Sequence, residues 1–163
     1  MMRPATQPMT LTFRSGTEAD LDTIVGIMNS AFDPLFGEAW TRSQCAGILP
    51  MSGVVLTVAL ANREDPVGFS LHRAVADEAE LLLLAVNRSA QHRGIGRTLL
   101  EDFLSKAHAG GVRKVHLEVR ENNPAVGMYR AAGFRFSGRR PDYYSGGEGA
   151  RYDALTFVKH LIS

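Results

Sequence analysis

The sequence has little of what builds disulfides or metal centres. Its 163 residues contain one cysteine, Cys45, which excludes an internal disulfide and fits a reducing cytosol. We interpret Cys45 as a small buried hydrophobe rather than a catalytic thiol, because no activating partner is identifiable. No cysteines and histidines stand at metal-ligand spacing, so no metal is expected.

Long apolar runs and an excess of one charge are also lacking. No run approaches the roughly 20 apolar residues that cross a bilayer, and residues 1–9 lack the apolar core of a signal peptide. With 18 Lys and Arg against 17 Asp and Glu, there is no basic field to attract nucleic acid. We therefore expect a cytoplasmic protein with neither a membrane nor a nucleic-acid partner.

The length suits one domain of ordinary size, and no repeat or low-complexity linker divides the chain. We expect a flexible tail over residues 1–9 and a single domain over residues 10–163. A monomer and a homodimer both remain open.

Hydrophobic periodicity predicts an α/β protein with a mixed sheet and helices on both of its faces. Helices are predicted from residue 17, where a capping signal stands, after Trp40, over 94–108 and over 122–132. The turn signal over 62–66 and the glycine-rich stretch 145–149 each separate two strands. The predicted strands cover residues 10–14, 54–60, 67–73, 80–86, 114–120, 134–139 and 151–159.

The most informative stretch covers residues 91–98, which follow an apolar strand and open an amphipathic helix. Gly94 and Gly96 allow the backbone to approach an anion closely, and the free N–H groups of the new helix point at it. Arg93 and Arg97 add positive charge. The third glycine of the dinucleotide fingerprint and the Gly-Lys-Ser/Thr of the Walker loop are missing, so another phosphorylated cofactor is predicted.

This stretch resembles the acetyl-CoA motif of the GNAT N-acetyltransferases, Gln/Arg-x-x-Gly-x-Gly/Ala after an apolar strand. Residues 122–134 are similar to a second block of that family, Asn-x-x-Ala-x-x-Leu-Tyr-x-x-x-Gly-Phe, with Met128 in place of the leucine. The resemblance implies a mostly antiparallel sheet whose middle strands, 80–86 and 114–120, splay apart, and acetyl-CoA as cosubstrate. The cofactor contacts that it implies are Leu84, Ala85, Val86, Gln91, His92, Arg93, Gly94, Ile95, Gly96, Arg97, Thr98, Asn122 and Tyr129.

Two residues could provide the asparagine contact with the cofactor. The interval from Glu118 to Tyr129 is one residue shorter here than in the commonest pattern of the GNAT subgroup that the sequence resembles most. Counting forward from Glu118 selects Asn123, whereas counting back from Tyr129 selects Asn122. We prefer Asn122, which keeps the helical register and can cap the short helix.

The resemblance also implies the chemistry. Glu118 would act as general base, through water, and Tyr129 as the acid beside the CoA sulfur, while the amine attacks the thioester directly. Glu80, which opens the other splayed strand, could accept the proton instead or orient the amine. Without the resemblance, Tyr129 would be interpreted as a packing aromatic and Glu118 as a solvated strand residue.

Residues 117–120, Leu-Glu-Val-Arg, and the segment 140–144 resemble the ribosomal-protein-alanine N-acetyltransferase (RimI-like) group. Trp40 stands in a segment similar to the group's Pro-Trp-Ser/Thr, with Ala39 replacing the proline. The resemblance implies that Trp40, Glu80, Tyr143 and Tyr144 contact the acceptor. An α-amine, with a pKa of about 8 against about 10.4 for lysine, suits a carboxylate base better.

Three functions follow as expectations. The first is acetylation of the N-terminal α-amine of a ribosomal protein that begins with Ala or Ser, through a ternary complex. The second is acetylation of a small amine or antibiotic-like compound. The third is a non-catalytic acyl-CoA sensor, against which the presence of both Glu118 and Tyr129 argues.

Overall fold

The structure is a computed structural model and describes residues 8–162. Most of the predicted flexible tail, residues 1–7, lies outside the described residues, as does residue 163. The strands are β1 Leu11–Ser15, β2 Val54–Ala61, β3 Asp65–Val75, β4 Glu78–Val86, β5 Lys114–Arg120, β6 Arg135–Ser145 and β7 Arg151–His160. The α-helices are α1 Leu21–Ala31, α2 Arg42–Ile48, α3 Ile95–Ala109 and α4 Val126–Ala131.

The described strands form one sheet in the order β1-β2-β3-β4-β5-β7-β6. Only β4 and β5 run parallel, and α3 is the crossover that joins them. The other neighbouring strands are antiparallel. The predicted fold class, a mixed and mostly antiparallel sheet, is therefore confirmed.

The two parallel strands separate along their length. Their pairing covers only Glu78↔Lys114 to Leu81↔Leu117, so β4 after Leu81 and β5 after Leu117 have no ladder with each other. At the same place β4 carries a bulge against β3, where the register shifts between Leu71 and His72. A bulge bends its strand and increases the local twist. The predicted splay of the middle strands is present.

Helices cover both faces of the sheet. On one face α1 and α2 bury a cluster that includes Ile24, Met28 and Cys45 against alternate residues of β2 to β4. On the other face α3 and α4 pack over the sheet through Leu100, Phe103 and other apolar residues. The burial of Cys45 confirms its interpretation as a core residue.

Side-chain caps explain where the first two helices begin. Thr17 and Asp20 form a capping box at the 3-10 turn that leads into α1, and Thr41 and Gln44 form another at the start of α2. Asp20 also accepts two hydrogen bonds from the Arg14 guanidinium, at 2.7 and 2.9 Å. The starts predicted for both helices are confirmed.

Several strand boundaries differ from prediction by one or two residues, as where β3 covers Asp65–Val75 rather than 67–73, and two element boundaries differ by more. The short helix predicted over 122–132 begins only at Val126, because residues 121–125 form turns. Strand β6 continues to Ser145, past the predicted end at residue 139, because it pairs again with β7 beyond the irregular segment 141–143. No helix among residues 8–162 is long and apolar enough to cross a membrane.

Candidate active site

The splayed strands open a cleft of about 630 Å³. One wall is the end of β4 with the start of α3, and the opposite wall is β5 with α4 and the segment before α2. The predicted site residues that line it are Trp40, Glu80, Leu84, Ala85, Val86, Gln91, His92, Gly94, Ile95, Gly96, Arg97, Glu118, Tyr129, Tyr143 and Tyr144. Arg93, Thr98 and Asn122 are not among the lining residues.

The start of α3 presents free backbone donors to the cleft. Gly94, at φ +79°, precedes the helix and has no capping side chain, and the first helical bond runs from the Thr98 N–H to the Gly94 carbonyl at 3.1 Å. The N–H groups of residues 95–97 precede that bond, so they have no intrahelical partner. Together with the positive end of the helix dipole, they provide the kind of donors that anions accept hydrogen bonds from, while phosphate binding here stays a prediction.

Thr98 is the last residue of the predicted cradle. Its N–H and its hydroxyl both donate to the Gly94 carbonyl, at 3.1 and 2.9 Å. Its N–H is therefore already engaged in this structure, unlike those of residues 95–97. A contact between Thr98 and the cosubstrate stays a prediction.

Side-chain hydrogen bonds shape the loop before α3. Gln91 donates through Nε2 to the Val86 carbonyl at 3.0 Å, which ties the loop to the end of β4. Ser30 of α1 donates to Asn87 at 2.7 Å and accepts from the Arg88 N–H at 3.0 Å. Gln91 thus has a defined structural role in addition to its place at the cleft wall.

The end of β4 supplies the other part of this wall. Leu84, Ala85 and Val86 lie beyond the last β4–β5 pair and line the cleft. A strand edge without a neighbour offers peptide groups that an amide-containing ligand can pair with. The Val86 carbonyl already accepts from Gln91, so only the remaining edge groups are open.

The preference for Asn122 does not agree with the turn before α4. Asn122 is exposed at φ +63°, outside the cleft lining, and caps no helix. Asn123 lines the cleft, and its Oδ1 accepts from the Ala125 N–H at 2.8 Å. The left-handed conformation of Asn122 is the reason, because it turns the chain so that the next side chain points inward.

Tyr129 lies on α4 and is only 7% exposed, with its ring against Phe134 at 5.9 Å between centroids. Burial, and secondarily the negative charge of Glu38, raises the pKa of its hydroxyl above the ordinary value. The hydroxyl therefore stays protonated over the working pH range. That state is required of a group that donates a proton to a thiolate.

Glu118 points into the cleft because it alternates with Leu117 and Val119, which are buried in the core on the other face of β5. Its Oε1 lies 2.8 Å from Nε of Arg140, whose side chain is 64% exposed against 15% for Glu118. Hydrogen bonding with Glu118 also contributes to a raised pKa of Tyr143, of which burial is the main cause. The Glu118 carboxylate thus pairs with the positive charge of a long and largely exposed side chain, that of Arg140.

Glu80 stands beside His116 on the neighbouring strand, with 3.7 Å between Oε2 and Nε2. His116 and Glu118 share one face of β5, so Glu80 and Glu118 face the same part of the cleft. The choice between them as base stays a prediction.

Aromatic side chains complete the acceptor end. Tyr143 and Tyr144 pack edge to face at 5.0 Å, and Trp40 lines the same cleft. Burial, and then the charge of Glu38, raises the pKa of Tyr144. These rings form a neutral wall beside the carboxylates.

Glu38 is a cleft residue that was not among the predicted site residues, although it lies inside the segment that is similar to the Pro-Trp motif. Glu38 lines the cleft, its side chain is 11% exposed, and its Oε1 lies 3.0 Å from Nε of the buried Arg120. Its Oε2 accepts from Nδ2 of Asn123 at 2.6 Å. These partners are more than eighty residues away in sequence, so no local pattern signals them.

The chain, in which the N-terminus of α3 presents free N–H groups beside two splayed strands, matches a known enzyme family. The model of the Acetyltransferase (GNAT) family matches residues 21–134, which is most of the chain. The protein therefore belongs to the GNAT family of N-acetyltransferases, and the resemblance drawn from the sequence is confirmed.

Within the family the chain is similar to enzymes named ribosomal protein bS18-alanine N-acetyltransferase. The one from Salmonella typhimurium is 35% identical over 68% of this chain and 82% of its own length. The one from Haemophilus influenzae is 32% identical over 65% of this chain and 73% of its own. The crystal structure of the Escherichia coli ribosomal-protein-S18-alanine N-acetyltransferase superposes with a TM-score of 0.84 at 27% identity, covering 94% of this chain and 96% of that one.

Proposed function

We propose that the protein transfers the acetyl group of acetyl-CoA to the N-terminal α-amine of a ribosomal protein that begins with Ala or Ser. The observation that carries the proposal is the cleft itself. Free helix N–H groups and an open strand edge lie on one wall, and Glu118 and Tyr129 lie on the other. A cosubstrate with a pyrophosphate at one end and an amide-bearing arm fits this order of groups.

The site supports direct transfer in a ternary complex. Glu118, through water, removes a proton from the acceptor ammonium, and the neutral amine attacks the thioester carbonyl. The carbon–sulfur bond breaks as the tetrahedral intermediate collapses, and Tyr129 gives its proton to the leaving thiolate. The attacking nitrogen loses its second proton to water as the amide forms, and Tyr129 regains a proton from water. No covalent enzyme intermediate is needed, which agrees with the burial of the single cysteine away from the cleft.

Arg140 must leave Glu118 before this step. Its guanidinium occupies one carboxylate oxygen at 2.8 Å. Because the Arg140 side chain is largely exposed, the exchange of this pair for an incoming ammonium costs little. The acceptor would therefore enter as a cation and take the place of the guanidinium.

The acceptor class rests on the relatives, which are named as alanine N-acetyltransferases of ribosomal protein bS18. Trp40, Tyr143 and Tyr144 would contact the first residues of that peptide. The lower pKa of an α-amine also suits the carboxylate base better than a lysine side chain does.

The experiment measures transfer and binding together, because a non-catalytic sensor would bind acetyl-CoA without turnover. With an Ala-starting ribosomal peptide, we expect the wild type to form the α-N-acetyl product. Tyr129→Phe should keep acetyl-CoA affinity in calorimetry and lose about 10²-fold in kcat, since general acid catalysis contributes on that order. Binding by the wild type without transfer to this peptide or to small amines would favour the sensor, and an unchanged kcat in Tyr129→Phe would remove the tyrosine as acid.

A further inference from the structure

We propose that Glu38 is a positioning residue that ties the segment bearing Trp40 to the helix bearing Tyr129, and so fixes the acceptor half of the cleft. The role in turnover rests on the proposed function, whereas the tie itself is a property of the free protein. We call residues 33–41 the acceptor segment.

Both carboxylate oxygens of Glu38 are engaged. Oε1 accepts from Nε of Arg120 at 3.0 Å, and Oε2 accepts from Nδ2 of Asn123 at 2.6 Å. The Arg120 side chain is 6% exposed, so this is a buried ion pair. Such pairs seldom add more stability than apolar residues of the same size, because desolvation offsets the attraction. The position of the Glu38–Arg120 pair at the cleft wall indicates instead that the pair orients the groups around it.

The tie continues from Asn123 to Tyr129. Oδ1 of Asn123 accepts from the Ala125 N–H at 2.8 Å, and the Ala125 carbonyl accepts from the Tyr129 N–H at 3.1 Å. Glu38 therefore holds the side chain that sets the start of α4. A shift of Glu38 would be transmitted to the proposed acid over three hydrogen bonds.

At its other end the tie fixes the acceptor segment. The Arg120 guanidinium carbon lies 3.8 Å from the ring centroid of Phe36. Gly37, at φ +68°, passes so close to the β6–β7 hairpin that a Cβ there would collide with the Ser145 carbonyl oxygen. Trp40 follows Glu38 by two residues and lines the cleft. Glu38 thus gives the irregular segment a buried ionic anchor beside these packing contacts.

The charge of Glu38 acts on the same groups. It is the largest charge effect that raises the pKa of Tyr144, and it also raises the pKa of Tyr129. In both tyrosines burial is the main cause. Glu38 thereby helps to keep both hydroxyls protonated beside the reacting groups.

Trp40 makes the tie measurable, because it is the only tryptophan in the chain. We expect acrylamide quenching of its fluorescence to rise in Glu38→Gln and Glu38→Ala. We also expect kcat to fall by about tenfold in Glu38→Gln and about 10²-fold in Glu38→Ala, because misplacement of a catalytic group costs on that order. The Kd for acetyl-CoA should stay within twofold of the wild type, because Glu38 lies away from the α3 cradle.

Asp22→Asn is the matched control. Asp22 is a carboxylate of α1 that pairs with Arg42 at the surface, where its side chain is 85% exposed. The change in net charge equals that of Glu38→Gln, so quenching and kcat should both stay near wild-type values. Far-ultraviolet circular dichroism of each variant checks that the fold is retained.

A milder variant covers the case in which Glu38→Ala fails to fold. Asn123→Ala removes the link to α4 and leaves the Glu38–Arg120 pair in place. We expect the losses of kcat in Glu38→Gln and Asn123→Ala to be non-additive, with the double variant at least threefold faster than their product predicts.

The outcomes separate this proposal from the proposed function. Unchanged Trp40 quenching in Glu38→Gln overturns the tie, even where kcat falls, since a charge effect on Tyr129 alone would then suffice. Raised quenching with an unchanged kcat overturns the positioning role. If the wild type acetylates no α-amine, only the proposed function is contradicted. The kcat of each variant is then measured with the acceptor that the wild type does acetylate. If it acetylates no acceptor, the quenching of Trp40 fluorescence alone tests the tie.

Discussion

Gly96 offers a test in which the size of the introduced side chain should separate an effect on stability from an effect on binding. The residue lies in the first turn of α3, where a Cβ would meet Sδ of Met128 at 3.6 Å and Cγ2 of Val86 at 3.8 Å. Both are ordinary contacts, so Gly96→Ala fits the free protein. Alanine in a helix is favoured over glycine by roughly 0.5–1 kcal/mol, and we expect a gain in unfolding free energy of up to that size.

A bulky side chain at the same position, as in Gly96→Leu, should weaken acetyl-CoA binding, because the neighbours of Gly96 line the cleft. Gly96→Ala should leave binding nearly unchanged, because the motif accepts alanine at this position. Each interaction of an anion with a helix end contributes about 0.3–1 kcal/mol, and the N–H groups of residues 95–97 have no intrahelical partner. A leucine side chain that keeps the pyrophosphate from these donors should raise Kd about tenfold, which is roughly 1.4 kcal/mol. Titration calorimetry with acetyl-CoA and urea denaturation measure the two effects.

Two other glycines serve as controls. Gly26, inside α1, has no atom within 4 Å of a built Cβ and lies outside the cleft, so Gly26→Ala should stabilise the fold without changing Kd. Gly94 also has space, but its φ of +79° makes Gly94→Ala destabilising by about 1 kcal/mol. A Gly96→Leu variant that folds and binds acetyl-CoA with wild-type affinity would refute the cradle.

Two further predictions concern single titratable groups. Glu118→Gln should lower the rate most at low pH, where free amine is scarce, with little change in acetyl-CoA affinity, and a pH–rate profile like that of the wild type would remove Glu118 as base. His72 is buried against Phe103 at 4.8 Å, and burial lowers its pKa from 6.5 to about 4. Between these two pKa values the unfolded chain binds a proton at His72 and the folded protein does not. The free energy of unfolding therefore decreases as the pH falls below 6.5. Between pH 7 and 4.5 this loss amounts to about 2 kcal/mol. In urea titrations His72→Phe should lack that share of the acid destabilisation, and equal losses in both proteins would contradict the assignment.

Periodicity was enough to predict most of the strands and the two long helices, because most of these elements bury one face in the core. The apolar run 80–86 and the alternating stretch 114–120 were correctly assigned to the middle strands. The glycine turn that opens α3 was also predictable, since glycines at a strand-to-helix junction are a local signal.

Side-chain partners across the fold were not predictable. The Glu38–Arg120 pair joins an irregular segment to β5, and the Arg140–Glu118 pair depends on the bend of β6 at residues 141–143. The prediction that Asn122 caps the short helix was wrong for a related reason. It assumed that the helical register extends back to Asn122, whereas this residue has a left-handed backbone conformation and the helix begins only at Val126.

The most direct test of the account is mass-spectrometric detection of acetyl transfer from acetyl-CoA to a panel of amines. The panel contains Ala- and Ser-starting ribosomal peptides, the same peptides with blocked N-termini and an internal lysine, and polyamines or aminoglycosides. We predict modification confined to the free α-amines. Preference for the small amines, or acetylation of the blocked peptides at lysine, would contradict the proposed function.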